Sequence, residues 1–340
     1  MKQRWFGNTG VRVSNLCLGA MMFGKWGNAD HEDSIRIIHR ALDAGINFID
    51  TADVYSYGES EEIVGKALAG RRDRVVLATK VHAPMGEDPN QMGNSRRWII
   101  QEVEASLRRL KTDWIDLYQI HRPEAHTDIE ETLSALTDLV RAGKVRYIGS
   151  STFPGSQIVE AQWTARERHL ARFVSEQPPY SLLARGIEAD VLPTCQRHNM
   201  AVIPWSPLAG GWLSGKWRKG NPPTSKRAQR IPARYDMSLP VNQRKLEATD
   251  ALAQLADEAG MSLLHMALAF VIKHPAITSA IIGPRTMEQL ESQLAAADID
   301  LDNALLDRID GVVAPGTNIN PADAGYENPA LASWARRRTR

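Results

Sequence analysis

The chain reads as an α/β protein folded as a closed (β/α)8 TIM barrel, and three observations point there. Short apolar runs alternate with amphipathic stretches at intervals of roughly 30 residues, the rhythm of βα units and a parallel sheet. Eight such runs can be counted, the number that closes a barrel, whereas a doubly wound sheet usually has fewer. Ionisable residues stand at the ends of successive runs, at Asp50, Lys80 and His121, and strand tips are where chemistry collects in a closed parallel barrel.

Taken in order, RWFGNTGVRVSNLCLG opens with a hairpin expected over residues 3–14, turned at Asn8-Thr9-Gly10 between apolar flanks. The barrel strands expected are NLCLG (15–19), INFID (46–50), VVLATK (75–80), IDLYQIH (115–121), VRYIGSS (145–151), RFVSEQ (172–177), MAVIPWS (200–206) and ITSAIIG (277–283). Helices follow the strands, among them SEEIVGKALAG, RRWIIQEVEASLRRL, TDIEETLSALTDLVRAG and MSLLHMALAFVIKH. Gly45 and Gly143 come just after the helices of their units, as C-caps do. Two stretches break the rhythm. Residues 206–240 are rich in Gly, Pro and cationic side chains and read as a long functional loop after strand seven. From about 315 to 340 an irregular tail is expected to wrap the surface or move freely. The whole of 1–340 is expected to be one domain, and the repeat is structural rather than one of sequence, so no solenoid is suggested.

Composition narrows the partners. Among 340 residues, Lys+Arg number 41 against 40 Asp+Glu, and 43% are apolar. That balance gives no global pull toward nucleic acid or a membrane surface. Cys17 and Cys195 are the only cysteines, too few for a disulfide framework or a metal knuckle, and are expected to be buried free thiols in a reducing cytosol. No apolar stretch approaches the ~20 residues of a membrane span, and MKQRWFGNTG lacks an apolar signal core. A cytoplasmic protein is expected, with no metal; a homo-oligomer stays open. The runs KWRKG and SKR could grip phosphates or merely solvate a loop, and the terminal ARRRTR reads as a solvated tail.

Parity brings the polar tips together. Side chains alternate along a strand, so Phe48 and Asp50, Ala78 and Lys80, Leu117, Gln119 and His121 share faces, and each terminal group can point into the barrel mouth. Consecutive strands are usually adjacent. Each residue alone has a bland reading: Asp50 as an N-cap, Lys80 reaching water, His121 as a packing residue, Tyr55 as a surface phenol. Their conjunction is more informative. Buried Lys80 needs a counter-charge, which Asp50 can supply, and a cation beside a phenol favours phenolate, so Tyr55 can act as an acid or base near neutral pH.

The cofactor side is read from the strand ends of the second half. No GxGxxG follows the first strand, so an anion site is expected where TIM barrels commonly have one, after strands seven and eight at a helix N-terminus. In IIGPRTMEQLESQLAAA, strand eight ends at Gly283, Thr286 is a credible N-cap, and Gln289 sits three residues on, as a capping box would place it. Arg285 precedes the first turn, and Gln293 lies one turn further along the face.

GINFIDTADVY, GESEEIVGKAL, VVLATK, DLYQIHRPE and GKVRYIGSS together resemble the aldo-keto reductase superfamily, in the family's order and over about residues 3 to 310. The resemblance implies a catalytic tetrad at Asp50, Tyr55, Lys80 and His121, with Tyr55 protonating a carbonyl oxygen while a nicotinamide delivers hydride, Lys80 tuning the phenol and His121 orienting the carbonyl. It implies NADPH (NADP+) rather than NADH, with Arg285, Gln289 and Gln293 at the adenosine 2′-phosphate and adenine. A common pattern there has serine at 285 and asparagine at 293, so this chain departs from it. Ser151, Thr152 and Gln177 would hold the carboxamide, Thr152 replacing the usual asparagine. Trp205 would stack on the nicotinamide, Ser206, Pro207, Leu208, Ala209, Gly210 and Lys216 would lie along the pyrophosphate, and Gly19, Ala20 and Met21 would flank the nicotinamide ribose. Met22, Trp26, Tyr57, His82 and Trp212 are candidates to line a pocket for an apolar aldehyde or ketone. Two other functions fit parts of the pattern: an aldolase-type barrel in which Lys80 forms a Schiff base, and a nicotinamide-binding redox-sensor subunit resembling the potassium-channel β-subunits of the superfamily.

Overall fold

The computed structural model describes residues 1–221, 231–333 and 335; the SKR run at 225–227 and residues 336–340 of ARRRTR lie outside them. The chain opens with the expected antiparallel hairpin, β1 (Gln3–Trp5) against β2 (Arg12–Ser14). Its turn is fixed by Thr9, whose hydroxyl donates to the Phe6 carbonyl and accepts from the Val11 N–H. Then come β3 (Leu16–Gly19), α1 (His31–Asp43), β4 (Phe48–Asp50), α2 (Glu59–Ala67), β5 (Val76–Val81), α3 (Arg96–Leu110), β6 (Ile115–Ile120), α4 (Ile129–Arg141), β7 (Val145–Ser151) and α5 (Gly155–Glu167). The second half adds β8 (Phe173–Gln177), α6 (Val191–Arg197), β9 (Ala201–Val202), α7 (Pro240–Glu258), α8 (Leu263–Lys273), β10 (Ala280–Ile282), α9 (Met287–Leu294) and α10 (Asn303–Val312).

Eight strands form one parallel sheet in the order β10-β3-β4-β5-β6-β7-β8-β9. The two ends meet: the Thr278 N–H donates to the Val202 carbonyl (2.8 Å) and the Ile281 N–H to the Pro204 carbonyl (2.9 Å). The (β/α)8 barrel is therefore closed by backbone hydrogen bonds. All eight expected strands are present. The seventh is shorter than its apolar run, because Pro204 has no N–H to donate to a ladder; beyond it, Trp205 still donates its N–H to the Pro178 carbonyl (3.0 Å).

The alternation read from sequence sorts side chains as expected. Cys17, Phe48, Ala78, Leu117, Ala201, Ile203 and Ile281 fill the barrel interior, and their neighbours in sequence face the helices. Phe6, from the hairpin, belongs to the same interior cluster and stoppers the barrel floor against Phe48 (ring centroids 5.6 Å apart, edge to face). Among the described residues, six of the ten helices begin on side-chain caps: Asp30, Ser95, Asp128, Ser262, Thr286 and Asp302 each accept from a first-turn N–H. Gly45 follows α1 at φ 93°, the left-handed conformation a helix end favours in glycine.

The described part of the tail wraps the barrel. The Ile319 N–H donates to the Leu183 carbonyl and the Thr317 carbonyl accepts from Arg185. Asp323 is buried and accepts from Arg234 Nε (2.5 Å) in the loop after β9 and from the fully buried Lys245 Nζ on α7. Two residues on, Gly325 lies so close that a Cβ there would meet Trp205 Cζ2 at 2.6 Å.

Candidate active site

Asp50 ends β4 as the register partner of Ala78, and Lys80 follows Ala78 by two residues on β5, where these strands reach the mouth. Both are essentially without solvent exposure. Lys80 Nζ donates to Asp50 Oδ2 (2.5 Å), to the Thr51 carbonyl (2.7 Å) and to Tyr55 Oη (3.2 Å). Three acceptors for three ammonium protons leave no donor idle. Burial alone would pull the lysine pKa down, but the carboxylate and the phenol hold it above the ordinary lysine value. Asp50 is itself fixed through Oδ1, which accepts from Gln119 Nε2 (3.0 Å) and Gln177 Nε2 (2.8 Å).

Tyr55 comes from a short turn, Tyr55–Gly58, after β4. Ser56 (φ 50°), Tyr57 (φ 56°) and Gly58 (φ 95°) are all left-handed there, a costly run for non-glycine residues. The structure around it supplies the restraint. Asp53 Oδ1 accepts from the Val54 N–H (2.6 Å), Ser56 Oγ accepts from the Trp26 N–H (3.1 Å), and the Arg109 side chain lies beneath Gly58. His121 continues the β6 ladder through its N–H to the Val81 carbonyl (2.9 Å) and sets its ring edge-to-face on Tyr55, centroids 5.8 Å apart. Burial, with Lys80 and Arg122 nearby, pushes the His121 pKa well below the usual histidine range, so the ring is neutral. The four expected residues are thus one contact group: an ammonium tied to a carboxylate, a phenol on the ammonium, and a neutral imidazole against the phenol.

Of the expected pocket residues, Trp26 packs on both Tyr55 (6.2 Å) and Tyr57 (6.0 Å), and Tyr57 is 71% exposed. Met22 and His82 are partly buried, and His82 is held by Asn94 Oδ1 (2.9 Å). Trp212 departs from expectation. It is fully buried, stacked on Tyr235 (5.9 Å) and edge-on to Trp217 (5.2 Å), beneath Lys245 Nζ. It anchors the loop after β9 and presents no face to the mouth.

The expected cofactor residues fall in three groups. At the β7 and β8 tips, Ser151 donates to the Gln177 carbonyl (2.8 Å), and Thr152 takes a left-handed φ of 62°. The Gln177 amide nitrogen bridges Asp50 and Gln119 (3.0 Å), so that end of the side chain faces inward. Gly19 and Ala20 are buried, Met21 partly exposed. After β9, Ser206 (φ 58°), Ala209 (φ 49°) and Gly210 (φ 69°) bend the chain sharply around Pro207 and Leu208, and Lys216 is exposed beyond them. After β10, Gly283 and Arg285 are exposed and Thr286 caps α9. Gln289 closes this cap by accepting from the Arg285 N–H (2.9 Å), the capping role read for it from sequence. Gln293 is buried, and its Oε1 has no partner among the described residues.

Several residues of the site were not read from sequence. Gln119 holds Asp50. Arg109 bridges buried Glu61 (2.6 Å) and Glu102 under the Tyr55 turn. Glu176 is fully buried behind β8, accepts from the Phe153 N–H (3.1 Å) and pairs with Ser150, and burial raises its pKa to about 8. Arg122, next to His121, donates to the His121 carbonyl (2.6 Å) and Thr152 Oγ1 (3.1 Å). A charged residue directly after a strand-tip histidine was the visible signal for Arg122. For Glu176 it was an acid within a strand that opens on the apolar pair Phe173-Val174.

Comparison with known proteins bears on the family. A family model described as Aldo/keto reductase family matches residues 15–314. The chain is similar to the uncharacterized oxidoreductase YrpG of Bacillus subtilis, 40% identical over 98% of this chain and 100% of the relative. It is also similar to a probable voltage-gated potassium channel subunit beta of Arabidopsis thaliana, 34% identical over 92% of this chain and 97% of the relative. The versiconal hemiacetal acetate reductase of Aspergillus parasiticus is 34% identical over 88% of this chain and 94% of the relative. With a closed eight-stranded barrel, an acid–lysine–phenol contact at its mouth and a match over most of its length, this chain belongs to the aldo/keto reductase family.

Proposed function

We propose that this protein reduces aldehydes or ketones to alcohols with NADPH, with Tyr55 as the general acid. The observation that carries this reading is the buried Lys80 ammonium, 2.5 Å from Asp50 and 3.2 Å from Tyr55 Oη. A cation at that distance stabilises the phenolate left when the proton goes to a carbonyl oxygen. Neutral His121 against the Tyr55 ring can donate one N–H to the same oxygen and orient it. A bound nicotinamide supplies the hydride. Residues present here suit that group: the unpartnered Gln293 Oε1 is a buried acceptor in the last turn of α9, and Arg285, just before the α9 N-cap, adds a guanidinium fork that matches a phosphate. Asp50, Tyr55, Lys80 and His121 are thus the catalytic residues of this reading. Trp205, the 206–210 bend, Lys216 and the Ser151–Thr152 tip are its cofactor contacts.

The Schiff-base alternative is disfavoured by the same geometry. A Lys80 kept protonated by Asp50 and bonded to three acceptors has no lone pair for a carbonyl carbon. A sensor role, as the name of the Arabidopsis relative suggests for that protein, would accompany cofactor binding without turnover. The decisive variant is Tyr55→Phe. It is expected to lower kcat by about 10²–10⁴-fold on a panel of aldehydes while NADPH still quenches tryptophan fluorescence as in the parent. Near-parental kcat in that variant overturns the assignment, and tight NADPH binding by the parent without oxidation favours the sensor.

A further inference from the structure

We propose that Arg122 is an anion-binding residue at the barrel mouth, so that the carbonyl compounds this chain prefers carry an acidic group, a carboxylate or a phosphate. The inference deepens the reductase reading above and rests on it. Arg122 follows β6 directly and flanks His121, whose ring lies on Tyr55. Its guanidinium is partly buried and held in place by Nη1 alone, which reaches the His121 carbonyl and Thr152 Oγ1, with Cζ 5.8 Å from the Trp205 ring. Nε and Nη2 meet no acceptor among the described residues, and no carboxylate of those residues lies within 4.0 Å. Two donors on one edge of a planar fork are left without a protein acceptor beside the strand tip that bears His121, in the arrangement that takes an oxyanion bidentately.

The other partly buried arginines are unlike it. Arg40 faces Glu291, Arg72 Asp116, Arg109 Glu61 and Glu102, Arg185 Glu188 and Asp310, Arg218 Asp250 and Asp257, and Arg234 Asp323. Arg4 meets two backbone carbonyls with two different nitrogens. The charges around Arg122 also leave it uncompensated. Lys80 is neutralised by Asp50, and His121 is neutral. Glu176, the carboxyl that acts on Arg122 through space, has its pKa raised by burial to about 8. Of these described groups Arg122 is left with the one charge that no carboxylate meets, and a desolvated cation without a counter-ion is costly. An anion on the substrate would relieve that cost. The cofactor's own phosphates are assigned above to the loops after β9 and β10, whereas Arg122 follows β6.

The test compares 2-, 3- and 4-carboxybenzaldehyde with their methyl esters, which keep the shape and lose the charge. The parent is expected to favour at least one acid isomer over its ester by about tenfold or more in kcat/KM. Arg122→Met is expected to bring that acid-to-ester ratio close to one by raising KM for the acid, and Arg122→Lys to keep part of the preference, a point charge without the fork. NADPH Kd is read in parallel. No acid preference in the parent, or a ratio unchanged in Arg122→Met, overturns the proposal. So does a loss of NADPH affinity in that variant, which would put the guanidinium on the cofactor. If turnover of acids and esters alike is insensitive to Tyr55→Phe, the reductase reading fails instead; Tyr55-dependent turnover without acid preference sinks the Arg122 proposal alone.

Discussion

Burial and the charges beside it together set the protonation of Lys80, His121 and Glu176. Lys80 is buried with a carboxylate and keeps its proton; His121 is crowded by cations and loses its own. Glu176 is buried with neutral donors and holds a proton up to about pH 8. Its folded pKa lies above the unfolded carboxyl value, so its contribution to stability is fully present below about pH 4.5 and is lost as pH rises through about 8. Glu176→Gln keeps the shape and cannot ionise. Its Tm is therefore expected to match the parent near pH 5 and to exceed it by a few degrees near pH 9, measured by thermal melts across that range; an equal offset at both ends would show that the carboxyl does not titrate in this window. At this scale the sequence was most legible where parity applied. Asp50, Lys80 and His121 could be aligned by counting residues along strands. Arg109, Glu102 and Glu61 could not, because their meeting depends on how α2 packs on α3, which no local period records.

Among the elements, the Tyr55–Gly58 turn carries the most strain and α3 carries its support. Gly58 lies at φ 95° with Arg109 Cδ 2.7 Å from where a Cβ would be. Gly58→Ala is accordingly expected to destabilise by about 1–3 kcal/mol and to lower kcat more than NADPH affinity, since the displaced turn bears Tyr55. Chemical denaturation and steady-state kinetics on one preparation check both; a variant with parental kcat would mean the turn tolerates the methyl group. The strands were legible from apolar runs and the helix starts from Thr286-type caps, because both depend on neighbouring residues. The short β9 was legible in hindsight from Pro204. The left-handed run at 56–58 was not: only Gly58 of its three residues announces itself.

Over the whole molecule, the chain's two ends serve opposite faces of the barrel. The N-terminal hairpin seats Phe6 in the floor, and the C-terminal strap crosses toward Trp205 at the mouth. The strap depends on Asp323, buried between Arg234 and Lys245. Asp323→Ala leaves a fully buried ammonium without its partner and is expected to cost about 3–5 kcal/mol, read by denaturant unfolding; a loss below about 1 kcal/mol would mean the strap is held by its backbone bonds alone. The irregular tail was visible in the sequence as a loss of periodicity, but its docking was not, because the contacts join residues as far apart as Arg234 and Asp323.

A barrel filled by its own side chains and stoppered at the floor by an aromatic ring leaves the mouth as its open end. Two molecules held in it at once would share a single doorway, and the one seated deeper would have to wait for the other. The sequence of departures would then follow from the plan of the room rather than from which guest is gripped more tightly.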